Sequence, residues 1–392
     1  MLKKLLLLKY TFHDFFHDFI VKRNKYAFYK AIINNTTNLN IDTTDNIKEV
    51  KNSNAKIHYV NQIPPYITIV PVETYKSFKF NLYNGYLIDI KDFESLDAYM
   101  AHQFGSKSRS KIRAYTKRLE TCFNISYKMY FGNIDKNNYE ALFDVMKIMI
   151  ERRFLERGDV HQAANDWVFY KEIFYQLILE KKASMFVIYD NDKPIDINLS
   201  YHYDNILINY IRAYDVDYSK FRLGYIDISK QLAWCFANNY HIFDLGFGNL
   251  DYKRQWCNKV YTFENQILYY KKYLPNIIIG NIIIICYKLK VRIGKHNKLE
   301  TNFNTTEKNA GLKNELLSFD YIALENVIKS DIHTEVNIED ETYALLRKPV
   351  YDFLYLNFES KNKITIFKVK NEPNVFLIKG KNKSSKLLVT NN

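Results

Sequence analysis

Chemistry concentrates in one stretch, "FDLGFGNLDYKRQW" from Phe243 to Trp256. A strand-like "IFDLG" runs into a turn at Gly246 and Gly248, and a short amphipathic segment then presents Tyr252, Lys253 and Arg254. The whole chain has only 11 glycines among 392 residues. Two of them beside Asp244 and ahead of a Tyr-Lys pair read either as plain turn chemistry or as a place where a backbone or ligand approaches closely. In the second case a cation and a phenol stand ready. Asp215, Asp244 and Asp196 are the carboxylates at nearby strand ends or on a polar strand face. Each could act as a general base, or pair with an arginine such as Arg212. A second basic cluster lies in "SKSRSKIRAYTKRLE", whose helical spacing aligns Arg109, Arg113 and Lys117 opposite Ile112, Tyr115 and Leu119. That face suits a phosphate group, or simply solvent.

These residues need elements to hold them. Residues 124–272 carry a strand in "NISYKMYFG", two helices in which Tyr139 to Arg153 and Trp167 to Ile178 keep helical spacing, and three strands in "MFVIYD", "KPIDINLSYHYD" and "ILINYIRAYD". The middle one alternates strictly, with Ile195, Ile197, Leu199, Tyr201 and Tyr203 on one face and Asp196, Asn198, Ser200 and His202 on the other. A helix in "LGYIDISKQLAWCFANN", the strand "IFDLG", the short helix "LDYKRQW" and one or two strands in "VYTFENQILYYK" complete the order β-α-α-β-β-β-α-β-α-β. Trp256 and Tyr214 read as core or pocket walls.

That order, with its local motifs, resembles the GNAT superfamily of N-acyltransferases, in its FemAB-related (CelD-like) branch. "KSRSKIRAYTKRLE" is similar to the branch's K-x-R-x-x-I-R helix, "YDVDYSKFRLGY" to its YD…G crossing, and "FDLGFGNLDYKRQW" to its fD-G…YK close. The resemblance covers about Leu96 to Lys272. It implies an α/β (α+β) fold with a mixed, mostly antiparallel sheet flanked by helices. It implies acyl transfer from acyl-CoA, acetyl-CoA included, to a primary amine on a cell-envelope or polysaccharide precursor, with no metal. Free backbone N–H groups and the helix dipole would bind the donor's pyrophosphate at the helix after "YIRAYD", with Lys220, Arg222 and Gly224. The family's loop usually carries two glycines, and Gly224 stands alone here. That departure favours an alternative donor, aminoacyl-tRNA, as in Fem-type enzymes. By the same resemblance Gly246 and Gly248 keep a bare wall for the thioester arm, Tyr252 protonates the leaving thiolate, and Lys253 neutralises an anionic donor or intermediate. Asp244 is a site residue by motif position, and Arg109, Arg113 and Asp215 are candidates for acceptor binding. A third reading is a non-catalytic scaffold that binds polyanions or membrane.

Composition sets the boundaries of these readings. Hydrophobic content of 47% with 25% charged residues is globular. A net charge of +13 points to an anionic partner or to the lysine enrichment that accompanies Asn, Ile and Tyr abundance in AT-rich coding. Cys122, Cys235, Cys257 and Cys286 are far apart, against a zinc ribbon or a disulfide framework and in keeping with a reducing cytoplasm. "MLKKLLLLKYTFHDFF" is too short in its apolar run for a secretory signal. His13 and His17 sit at i,i+4 in "FHDFFHDFIVKRNKYAFYKAI", expected to be helical, yet no third metal ligand is evident. "LPNIIIGNIIIICYKLKVRIGKHNK" falls short of a spanning helix. It reads as a core element, or as a helix on a membrane surface anchored by Lys288, Lys290, Arg292 and Lys295. The division expected along the chain is an N-terminal mixed lobe (1–100), the acyltransferase domain (101–274), an apolar-basic connector (275–299) and a small α+β appendage (300–392). In the appendage "LKNELLSFDYIALENVIK" reads as a helix, and "TYALLRK", "DFLYLNF", "KITIFKVK" and "NVFLIKG" as strands. Localisation is expected to be cytoplasmic, with peripheral contact at the inner membrane face through 277–298.

Overall fold

The computed structural model describes residues 10–40, 48–50, 57–157, 167–248, 250–272, 274–292, 317–324 and 332–391. Packing divides the chain into two compact units, residues 1–89 with 242–306, and residues 90–241 with 307–392. The division at 100, 274 and 299 concerns modules along the sequence and stands as a proposal beside these spatial units.

In the first unit β1 (Thr11–Asp14) is followed by a π-helical turn (Phe16–Val21) and by β2 (Asn24–Tyr26), β3 (Tyr29–Asn34), β4 (Leu39–Asn40), β5 (Lys48–Val50), β6 (Ile57–Ile63), β7 (Ile67–Pro71) and β8 (Tyr75–Asp89). The expected N-terminal helix is therefore corrected. β1 pairs in parallel with β6, Thr11 opposite His58, because aromatic and β-branched side chains fit a pleated surface once a partner strand is available. His13 thus lies on a strand and His17 in the turn beyond it, and His13 Nε2 meets His58 Nδ1 at 3.0 Å. The unit's later elements are β13 (Ile242–Phe247), the short helix spanning Asp251–Trp256, β14 (Lys259–Tyr270) and a helix spanning Leu274–Arg292. Its main sheet runs β1-β6-β14-β8-β13, antiparallel apart from the β1–β6 pair.

The second unit supplies α1 (Leu96–Gln103), α2 (Ser106–Cys122), β9 (Ile125–Tyr130), α3 (Lys136–Arg157), α4 (Trp167–Leu179), β10 (Ala183–Asp190), β11 (Lys193–Tyr203), β12 (Ile206–Tyr214) and α5 (Leu223–Ala237). With the short helix Asp251–Trp256 named α6 and the helix Leu274–Arg292 named α7, the elements from β9 to β14 follow the order expected from sequence. The sheet β12-β11-β10-β9 is antiparallel throughout. β11 is buried on both faces. Its apolar face packs toward the helices, with Tyr201 4.7 Å from Phe174 between ring centroids. Its polar face meets α5, where Asn198 donates to Asp227 and Ser200 reaches Gln231.

The C-terminal region is α+β, but its elements are reassigned. "SFDYIAL" lies in a strand, β15 (Leu317–Leu324), and the rest of that expected helix falls outside the described residues. "TYALLRK" and "DFLYLNF" are helical instead, in a 3-10 turn (Glu341–Leu346) and α8 (Arg347–Asn357). Val350, Tyr351, Phe353 and Leu354 are all buried, a 3.6-residue period that is invisible when the two pieces are read separately. β16 (Ile332–Glu335), β17 (Thr365–Val369), β18 (Val375–Lys379) and β19 (Ser384–Asn391) join β15 in an antiparallel sheet, β15-β19-β18-β17-β16. This region shares one hydrophobic core with α2 and the 3-10 turn before α5. Cys122 and Phe123 there meet Tyr218, Phe221, Tyr351 and Leu354.

Candidate functional site

Asp244 is the hub of the first unit's cluster. It lies on β13 opposite Leu87, and the register then slips so that Phe247 faces Gly85. This bulge puts Gly246 at φ +71° and turns its N–H back onto Asp244 Oδ1 at 2.8 Å. Tyr66 donates to Asp244 Oδ2 at 2.8 Å, and Tyr261 lies 3.0 and 2.8 Å from the two carboxylate oxygens. Gly85 makes this possible, since a Cβ there would sit 2.1 Å from the Tyr261 ring. Asp244 is only 1% exposed. Burial pushes its pKa above the carboxylate range, while the Gly246, Tyr66 and Tyr261 hydrogen bonds and the Lys253 charge pull it back.

Lys253 completes the cluster. It projects from α6 into the turn and is 9% exposed, and its Nζ donates to the Phe247 carbonyl at 2.6 Å. Gly248, at φ +103°, borders the same ammonium, 3.9 Å from where its Cβ would be. A side chain there would strain the backbone at that positive φ. Burial lowers the Lys253 pKa from 10.5 to about 8, against the opposing pull of Asp244. The two glycines, Asp244 and Lys253 are thus one assembly, and the aspartate holds the turn that holds the lysine. Tyr252 immediately precedes it on α6 and is half-buried.

In the second unit the predicted residues divide differently. α5 starts at Leu223 behind Arg222, which adopts a left-handed conformation (φ 58°, ψ 43°), and no side-chain hydrogen bond caps this end. Arg222 is exposed. Gly224 leaves room for a side chain of the protein itself, as a Cβ would lie 3.3 Å from Arg212 Nη1. Lys220 reaches Asp352 of α8 at 3.4 Å. Asp215 caps the 3-10 turn by accepting from the Asp217 N–H at 3.1 Å, and it pairs with Lys193 at 2.8 Å and Arg152 at 3.3 Å. Arg152 also grips Asp217 through both terminal nitrogens, at 2.6 and 3.0 Å. Arg109 donates to the Phe104 carbonyl at 2.7 Å, closing the end of α1, and Arg113 reaches Asp97 at 3.3 Å on the exposed side of α2.

Asp196 does pair with Arg212, whose Nε also lies 3.5 Å from Asp227. Both carboxylates are fully buried. Burial and the neighbouring Asp227 push Asp196 up to about 7 even with the guanidinium opposing. Sequence reasoning missed Tyr66, Tyr261, Arg152 and Lys193 as partners, since each reaches its carboxylate across a long sequence separation. Asp217 did carry a signal, lying two residues after Asp215 in "YDVDYSK". Among the described residues no group of three or more His, Cys, Asp or Glu is placed to hold a metal ion. Among them, too, no helix is long and apolar enough to cross a membrane.

Residues 106–254 match the family model of the acetyltransferase (GNAT) domain. The chain carries a GNAT domain. Similar solved structures include FemX, at 12% identity over 54% of this chain and 72% of that one with a TM-score of 0.39. L-PGS from Bacillus licheniformis is 14% identical over 57% of this chain and 71% of that one, with a TM-score of 0.36. A conserved protein of unknown function from Bacteroides thetaiotaomicron is 11% identical over 55% of this chain and 70% of that one, with a TM-score of 0.37. No curated protein sequence matches the chain. The Tyr252–Lys253 segment falls within the last three residues of the matched GNAT region.

Proposed function

We propose that the GNAT domain moves an acyl group from acyl-CoA to a primary amine on a cell-envelope or polysaccharide precursor, in the cytoplasm. The observation that carries this reading is Lys253, an amine kept buried between Asp244 and the Gly246–Gly248 turn. A desolvated lysine is costly to keep, and such groups concentrate where an anion must be met. The donor contributes the thioester. Lys253 supplies the positive charge that offsets the donor or the developing oxyanion, and Tyr252 beside it gives a proton to the leaving thiolate. Asp244 acts as a positioning residue, because its oxygens are taken up by Tyr66, Tyr261 and Gly246. Within the second unit, Arg222 and the uncapped start of α5 suit a phosphate group. The test is calorimetric titration of the purified chain with acetyl-CoA and longer acyl-CoAs, together with thioester hydrolysis. Saturable binding supports the reading, and failure of every acyl-CoA to bind sinks it.

One observation favours a second donor. Lys220 is drawn to Asp352 and the space at Gly224 is filled by Arg212, which leaves fewer groups for a CoA pyrophosphate. Aminoacyl-tRNA does not need that loop. Its binding would be phosphate-dominated and fall steeply with salt. A mobility-shift assay with charged tRNA that stays negative at low salt removes this alternative.

A further inference from the structure

The helix α7 presents two different faces. Its inner face, through Ile277, Ile279, Ile283 and Ile284, packs on Ile57, Ile267 and Tyr269 of the first unit's sheet. Gly280 lets it sit close, since a Cβ there would meet the Tyr269 ring at 2.6 Å. Its outer face carries Leu274, Ile278, Ile282, Ile285 and Leu289, between 45% and 67% exposed. These five fall at spacings of four, four, three and four, a single aliphatic stripe along the helix. Scattered exposed leucines are ordinary, whereas a continuous aliphatic stripe on a helix already anchored by its other face calls for an occupant.

Charge selects the occupant. Between Glu264 and Glu300 the sequence contains no Asp or Glu and seven Lys or Arg. Lys271 and Lys272 precede the helix, Lys288, Lys290 and Arg292 belong to its last turns, and Lys295 and Lys298 follow. A second copy of the chain laid along the stripe would bring basic ends together, whether the two helices ran parallel or antiparallel. An acidic surface does the reverse. We infer that α7 is an interfacial helix whose Leu274–Leu289 stripe inserts among the acyl chains of an anionic lipid bilayer while the flanking lysines and arginine meet its headgroups. This gives α7 a defined contact face. It does not depend on which donor the GNAT domain uses, because the stripe and the basic ends are present without any ligand.

The experiment is co-sedimentation of the full chain with phosphatidylglycerol-containing vesicles and with pure phosphatidylcholine vesicles, at low and high salt. Binding is expected only with the anionic lipid, weaker at high salt. It should fall about fivefold for each of Lys288, Lys290 and Arg292 changed to Gln, and tenfold or more in the double variant Ile282→Asp/Ile285→Asp, on the order of the loss from removing two buried aliphatic contacts. Both substituted side chains are exposed, so unchanged circular dichroism is expected. Ile285→Trp gives an independent reading, its fluorescence shifting to the blue on anionic vesicles alone. The inference is overturned if the chain stays in the supernatant with anionic vesicles at low salt, if the double aspartate variant binds as wild type does, or if the fluorescence of the Ile285→Trp variant does not move. It is equally overturned if sedimentation shows a dimer that Ile282→Asp dissociates, which would assign the stripe to a second copy.

Discussion

Replacing Lys253 by Met keeps the stem of the side chain and deletes the amine. The Lys253 pKa falls from 10.5 to about 8. At about 1.36 kcal/mol per unit, the charged form costs the folded state about 3 kcal/mol. The folded-state value lies below the unfolded one, so stability from this group is fully present above pH 10.5 and lost as pH falls through about 8. At neutral pH the variant therefore escapes a penalty of about 3 kcal/mol but strands the Phe247 carbonyl, at about 1–3 kcal/mol, and comes out level with wild type or above it. Above pH 10.5 only the carbonyl loss remains, and the variant is the weaker protein. The assay is equilibrium urea unfolding of both proteins by circular dichroism from neutral pH upward. Taking the difference cancels the titration of every other lysine and tyrosine, and the cost of the stranded carbonyl is common to all pH values. A stability difference that stays constant from neutral pH to pH 10.5 would refute the reasoning, since Lys253 would then titrate like an exposed amine.

The same structure sets other outcomes. Tyr261→Phe removes an O–H donor from the buried Asp244 and should cost about 1.5–3 kcal/mol in urea unfolding. Gly248→Ala forces a side chain into φ +103° beside Lys253 and should cost about 1–3 kcal/mol by the same measurement. Arg212→Met strands two buried carboxylates and should cost about 3–5 kcal/mol near neutrality. Asp196 is already raised to about 7 with Arg212 present, so its contribution is lost as pH rises through that value. The deficit of the variant should therefore shrink in thermal melts as pH is lowered.

How much of this was legible in the sequence differs by region. From Ile125 to Tyr270 most elements carry a local signal, whether alternation as in "KPIDINLSYHYD", a short apolar run as in "MFVIYD" or the 3.6-residue spacing of Tyr139 to Arg153, so the order could be read directly. The N-terminal segment failed because Phe12, Phe15, Phe16 and Phe19 satisfy helix spacing while the pairing of β1 with β6 decides the outcome. α8 failed because its period runs through Pro349, where the sequence reading placed a break between two strands. At the site, the local grouping of Asp244, Gly246, Gly248 and Lys253 was visible because 10 consecutive residues carry it. The tyrosines that hold Asp244 were not, since Tyr66 approaches from 178 residues away and nothing separates it from the other tyrosines of the chain. Gly224 and Lys220 were singled out by their place at a helix start, and their folded neighbours, Arg212 and Asp352, were not legible in the sequence.

The most direct test of the central claim is calorimetric titration of acyl-CoA into wild type and Lys253→Met near pH 8, repeated in buffers of different ionisation enthalpy. If Lys253 meets the anionic donor, binding raises its pKa from about 8 and the wild type takes up protons as it binds. The variant should bind about tenfold or more weakly, the worth of a charge-assisted contact, and take up none from this position. Equal affinity and equal proton uptake in the two proteins would contradict the account, as would the absence of any acyl-CoA binding to the wild type.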